Sequence, residues 1–202
     1  MAWLPADAEI PAGYVTADYR LRMLSTDDVD LDYEAVIASR EQLLLKSLGD
    51  WPAPGFTIEE NYADLDRHQR EHGERTSFTY TIMNLEGTQC LGCVYVNPLA
   101  GLLAKVAAHR QVAGGERDPA ADATVYYWVR PERIAEGMDR LLIAHLVAWF
   151  ALEWPFENVV FQVFEGERQQ IETLESQDLE IIYELESRRT NQRLLLYGEA
   201  EG

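Results

Sequence analysis

The sequence predicts an α/β (α+β) protein, a mixed, mostly antiparallel central sheet flanked by helices on both faces. Three observations carry that expectation. Strand-like and helix-like stretches follow one another as β-α-α-β-β-β-α-β-α-β-β, with strand–helix alternation in the middle and hairpins at the flanks. The 202 residues fit one domain with decorations, and the 47% hydrophobic content is ample for a packed core. A charged fraction of 26% argues against disorder over most of the length.

Residues 1–17 hold two prolines and no lysine or arginine, and are expected to be an irregular leader ahead of a single domain over 18–198. "DYRLRML" (18–24) alternates and reads as the first strand. "STDD" then supplies an N-cap and first-turn acids for a helix running to about Leu48. "GDWPAPG" (49–55) breaks the chain. Thr57, followed three residues later by Glu60, has capping-box spacing and opens a second helix. "RTSFTYTIMN" and "CLGCVYVNP" are strands joined by the hairpin signal "LEGTQ".

The stretch 99–123 reads as a helical turn followed by a mobile loop, long enough to be either functional or disordered. It would shape an acceptor site or a subunit contact, so a homodimer stays open. "ATVYYWV" is the next strand and Arg133 to Trp154 a long helix. "ENVVFQVFE" (157–165) is a strand, "ERQQIETLESQD" a short helix, and "LEIIYELES" with "QRLLLYGEA" a closing antiparallel pair.

Composition narrows function. With 17 Lys and Arg against 35 Asp and Glu, the formal charge is −18. Nucleic-acid binding needs a basic footprint and none is visible; an anionic membrane would repel this surface. An acidic field would favour cationic partners such as amines, but plain solubility is the commoner reason for such a charge. No apolar run approaches the ~20 residues that span a bilayer, and the first residues lack the basic start and apolar core of a signal peptide. A soluble cytoplasmic protein is expected.

The only cysteines, Cys90 and Cys93, stand in C-x-x-C spacing in "QCLGCVYV". A zinc site would need two further ligands, and a redox pair normally opens a helix, so no metal site is expected. Strand alternation places the two on opposite faces, as small buried hydrophobes. His68 and His72 share a helix face that reads as solvated, and His145 as a core or boundary residue. Glu165, Glu167, Glu172 and Glu175 read as a solvated acidic helix.

The informative stretch is "YYWVRPERIAEGMDRLLIAHLVAWF", from Tyr126 to Phe150. It reads as a strand end, a loop with Gly137, and a long helix. The first N–H groups of such a helix lack intrahelical partners, and its dipole favours an anion there. The order of elements, "YYWVRPE" as a fourth-strand ending, Gly92 in "CLGCVYV", and Ile171, Leu174 and Glu175 in "ERQQIETLESQDLE" together resemble the GNAT superfamily of N-acetyltransferases over residues 18–198.

The resemblance implies acetyl-CoA or another acyl-CoA as co-substrate, and a small-molecule or peptide amine as acceptor. It implies a pyrophosphate loop of the form Gln/Arg-x-x-Gly-x-Gly/Ala. It also implies strand amides near Trp128 and Val129 that hold the pantetheine arm and polarise the thioester. The cofactor-binding set would be Trp128, Val129, Arg133, Glu136, Gly137, Met138, Asp139, Arg140 and Glu167. A general base could be Asp122 or Tyr126, without a motif behind either.

Departures accompany the likeness. Asp139 replaces the second small residue of the loop, and Ile134 stands where Gln or Arg is expected, with Arg133 adjacent. Glu167 occupies an asparagine position, Asp178-Leu179 replaces Gly-Phe, and Leu174 lies near the usual place of a tyrosine acid. Two readings follow: an acyl-CoA-dependent N-acyltransferase acting on a small amine or a protein N-terminus, or a degenerate relative serving as a ligand-binding or interaction module. Asp139 is expected to point to solvent.

Overall fold

The computed structural model describes residues 3–47, 51–115, 117–186 and 192–200. In chain order the first elements are β1 (Gly13–Val15), β2 (Arg20–Met23), a 3-10 turn (Thr26–Asp28), α1 (Val29–Ala38), α2 (Arg40–Lys46) and α3 (Ile58–Gly73). Then come β3 (Phe78–Met83), β4 (Cys90–Pro98), α4 (Leu99–Leu103), β5 (Ala108–Gln111), β6 (Ala123–Val129), α5 (Pro131–Ala135) and α6 (Met138–Glu153). The chain closes with β7 (Val159–Phe164), α7 (Arg168–Glu175), β8 (Glu180–Glu186) and β9 (Arg193–Gly198). The expected end of the first helix near Leu48 lies outside the described residues.

The chain divides into two compact units, one comprising Pro11–Tyr95 and Tyr127–Met138, the other Met1–Ile10, Val96–Tyr126 and Asp139–Gly202. In the first, β1, β2, β3 and β4 are successive sheet neighbours, the first two pairings antiparallel, with Arg22 opposite Thr81. The core comprises Tyr19, Leu21, Phe78, Tyr80 and Ile82, together with Val36 and Leu65 of the helices. In the second unit the order is β6-β7-β9-β8-β5, parallel between β6 and β7 and antiparallel for the rest. Its core includes Leu99, Val160, Ile182, Leu185 and Leu196. The sheet is thus mixed and mostly antiparallel, as expected.

Several local expectations are corrected. The leader contains β1, which is held on β2 by the pairing of Tyr14 with Leu21. The first helix divides at Ser39, whose φ of −101° and ψ of 9° leave the helical range. The 99–123 stretch holds β5, antiparallel to β8 with Arg110 Nη2 donating to Glu184 Oε2 at 2.6 Å. All four residues of β5 are exposed, so no buried face imposed a period-2 pattern on it.

The helix expected from Arg133 to Trp154 is two helices, α5 and α6, because Gly137 between them has φ +85°. That left-handed value is open to glycine and cannot continue a right-handed helix. Cys90 and Cys93 do not face opposite ways: both thiols approach Asp32 Oδ1, at 3.9 and 3.6 Å. Strand alternation fails there because Gly92 has φ +150°, and a Cβ on it would collide with the Trp128 carbonyl.

Candidate functional site

The stretch the sequence singled out begins on β6. Its parallel ladder with β7 pairs Ala123, Thr124 and Val125, yet the strand continues to Val129. Arg130 N donates to Leu91 O at 2.9 Å, so the main chain of Arg130 turns toward β4. Main-chain groups alternate along a strand. Trp128 therefore turns the same way as Arg130, its carbonyl lying against Gly92. Val129 turns its N–H to the opposite edge, where the ladder stopped at Val125. Of the two positions expected to offer an amide, Val129 turns its N–H away from β4, while the main chain of Trp128 faces β4.

Side chains hold this segment from behind. Arg130 is buried; its Nε donates to Cys90 O at 2.6 Å and its Nη1 to Glu34 Oε1 at 3.1 Å, with Nη2 on the second Glu34 oxygen. Nη1 also reaches Glu132 Oε1 at 3.3 Å. Charge-assisted bonds of this kind are the strong ones, and they fix where the loop begins. The sequence reading passed over Arg130, since nothing local distinguishes it from Arg133. Trp128 Nε1 donates to Tyr95 Oη at 3.2 Å.

Pro131 opens α5 at a position where its missing N–H costs nothing. Arg133, expected to meet a phosphate, pairs with Glu136 at 2.8 Å and donates to Gln89 Oε1 at 3.2 Å. The chain then turns at Gly137, whose N–H donates to Ile134 O, and α6 starts at Met138. A Cβ on Gly137 would meet nothing within 4 Å, so its neighbourhood is open space. Arg140 is exposed, one residue beyond Asp139.

Asp139 does not point to solvent. It is 1% exposed, Oδ2 accepts from Gln169 Nε2 at 3.1 Å, and Oδ1 is buried without a partner. Gln169, on α7, thus takes the place that sequence reasoning gave to water. Glu167, the other expected contact, closes the turn before α7 by accepting from Phe164 N at 3.0 Å. Leu174 is buried, so no hydroxyl stands there.

The two candidate bases lie at different points of β6. Tyr126 follows directly on the last laddered residue. Asp122 sits just before the strand, seven residues from Val129, or ~23 Å at ~3.3 Å per residue. It is fully buried, accepts from Asn158 Nδ2 at 2.8 Å, and burial raises its pKa. His68 and His72 are not on a solvated face. The His68 side chain is 12% exposed, with Nδ1 3.1 Å from Thr79 Oγ1 and its ring 5.3 Å from that of Tyr95. His72 packs edge-on against Phe78 and Tyr80, and burial lowers its pKa. His145 is half-buried on α6.

Several solved acetyltransferases are similar to this chain in fold. Over 94% of this chain and 97% of theirs, the ribosomal-protein-S5-alanine acetyltransferase from Vibrio fischeri superposes with a TM-score of 0.69 at 13% identity. The chain has the GNAT acetyltransferase fold. Also similar in fold is the microcin C7 self-immunity acetyltransferase MccE, solved with acetyl-CoA and AMP, at a TM-score of 0.69 and 12% identity over 95% of this chain and 98% of that one. The ribosomal L7/L12 α-N-protein acetyltransferase RimL, solved with coenzyme A, gives 0.67 and 14% over 93% and 96%. No protein-family model matches the sequence, and no curated protein does. Among the described residues, no helix is long and apolar enough to cross a membrane.

Proposed function

We propose that the protein is an acyl-CoA-dependent N-acyltransferase, transferring an acetyl group to a small amine or a protein N-terminus. One observation carries the reading: within a GNAT fold, β6 runs to Val129, four residues past Val125, the last residue paired with β7 among the described residues, and Val129 turns its N–H away from β4. An amide so placed can donate to a thioester carbonyl and stabilise the oxyanion that forms when an amine attacks. Acyl-CoA supplies the activated acyl group. The phosphates would lie toward Gly137 and the first N–H groups of α6, where the helix dipole favours negative charge.

The chain's own residues have the remaining tasks. The amine must lose a proton and the departing thiolate must gain one. Tyr126 is the nearer of the two candidate bases, three residues or ~10 Å along the strand from Val129, whereas Asp122 is ~23 Å along it. Arg130 fixes the loop start through Cys90 O and Glu34. The formal charge of −18 suits a cationic acceptor.

Asp139 favours a second reading, a binding or interaction module that keeps the fold without the chemistry. Its carboxylate is buried beside the α6 start with one oxygen unpartnered, where charge opposes charge most strongly. Isothermal titration with acetyl-CoA and with CoA tests the catalytic reading. Saturable heat is expected from both ligands, together with acetyl-CoA consumption once an amine is supplied. The absence of heat and of any thermal shift at millimolar ligand would overturn it. CoA binding without turnover on a panel of amines and peptides would favour the module.

A further inference from the structure

Asp32, Cys90 and Cys93 form a cluster that acyl transfer does not use. Their O and S atoms lie within 4.8 Å of one another, all three residues are buried, and no other such group occurs among the described residues. From their donor chemistry and spacing we infer that they form a structural zinc site tying α1 to β4.

The carboxylate alone is poorly provided for. Asp32 is 3% exposed, and among the described residues its nitrogen donor is Asn61 Nδ2, at 3.0 Å on Oδ2. The two thiols stand at 3.6 and 3.9 Å from Oδ1, at the long end for weak S–H donors. A buried carboxylate needs either strong partners or a cation. The buried Asn61 also leaves its Oδ1 without a partner, on the same planar amide that touches Asp32. Two thiols and a carboxylate therefore converge at one buried point, with the Asn61 amide on the carboxylate.

The spacing fits the ion. With Zn–S near ~2.3 Å and Zn–O near ~2.0 Å, a tetrahedral centre sets sulfur and oxygen about 3.5 Å apart. The measured 3.6 and 3.9 Å lie within a few tenths of that edge. Two thiolates and one carboxylate are a donor set that selects zinc over magnesium or calcium. Asn61 would orient the carboxylate through Nδ2 as an outer partner, and the fourth position would fall to a water or to another oxygen donor.

The local backbone suits a metal knuckle. Gly92 at φ +150° brings both cysteines to one side, and Arg130 braces the turn through Cys90 O at 2.6 Å and Leu91 O at 2.9 Å. Binding expels the two thiol protons, so zinc with two thiolates and one carboxylate leaves a net charge of −1. With Cys90 0% and Cys93 1% exposed, large oxidants are kept from the thiols, which favours a metal over a redox pair.

The test uses the tag-free full chain expressed with zinc. Elemental analysis is expected to give about one zinc per chain. Cobalt(II) in its place should show thiolate-to-metal charge transfer and the visible bands of a tetrahedral site. Cys93→Ser should lose the metal and the charge-transfer band, and Asp32→Asn should weaken zinc retention roughly tenfold or more. The site is overturned if folded wild type holds under about a tenth of a zinc per chain and cobalt gives no thiolate band. Full zinc retention in folded Cys93→Ser overturns it equally. Should Cys93→Ser fail to fold, the wild-type cobalt spectrum alone decides. CoA titration is independent of every one of these readouts.

Discussion

Two helices of this chain begin in opposite ways. At α3, Thr57 Oγ1 accepts from Glu60 N at 3.3 Å and Glu60 Oε2 accepts from Thr57 N at 2.8 Å. Two backbone donors of that terminus, Thr57 N and Glu60 N, are served by its own side chains. At α6 the chain arrives through a left-handed glycine, Gly137, and the first turn carries an acid, Asp139. The acid in its first turn is drawn to Gln169 instead. A helix start closed by its own residues stabilises the fold. A start entered through a left-handed glycine turns its first N–H groups toward an anion, and Arg130 fixes where the loop before it begins.

The largest effect should come from the acid that complicates this contrast. Asp139→Asn is expected to tighten CoA binding roughly tenfold to a hundredfold, since a unit charge ~5 Å from a phosphate opposes it by about 3 kcal/mol at an effective dielectric near 20. Calorimetric Kd values check this. An unchanged Kd would mean that the carboxylate serves only the Gln169 contact, and the two helix starts would then differ less than they look.

Gly137→Ala comes next. The site has room for a Cβ, so the penalty is conformational, about 1–2 kcal/mol for a non-glycine residue at φ +85°. Binding of CoA should weaken roughly five- to thirtyfold, with a fall in Tm of a few degrees. Weaker binding with an unshifted Tm would place the strain relief in the loop itself.

What the sequence made legible follows the range over which each feature is encoded. The capping box at Thr57 and Glu60 was readable because four consecutive residues specify it. The order of strands and helices was readable for the same reason, each element carrying its own period. Gly137 was visible as a residue, but its φ was not, so one helix was expected where two occur. The Cys90–Cys93 alternation failed because the approach of Trp128 O to Gly92 is a tertiary event. Asp32 meets the cysteines, and Gln169 meets Asp139, across separations that no local pattern records. β5 was missed because its four exposed residues carry no hydrophobic signal.

The smallest effect belongs to the self-closed helix. Thr57→Ala removes the hydroxyl that accepts from Glu60 N, and loss of such a cap costs about 1 kcal/mol. For a chain of this size that is roughly 2–4 °C in Tm. In urea the midpoint should fall while the slope stays constant, because the surface exposed on unfolding is unchanged. Thr57→Ser, which keeps the acceptor, should recover most of the loss. The Kd for CoA should not move in either variant, because the α3 start takes no part in the proposed site. A shift in CoA affinity from Thr57→Ala would break the contrast from its quieter side, by tying the α3 start to the binding reaction.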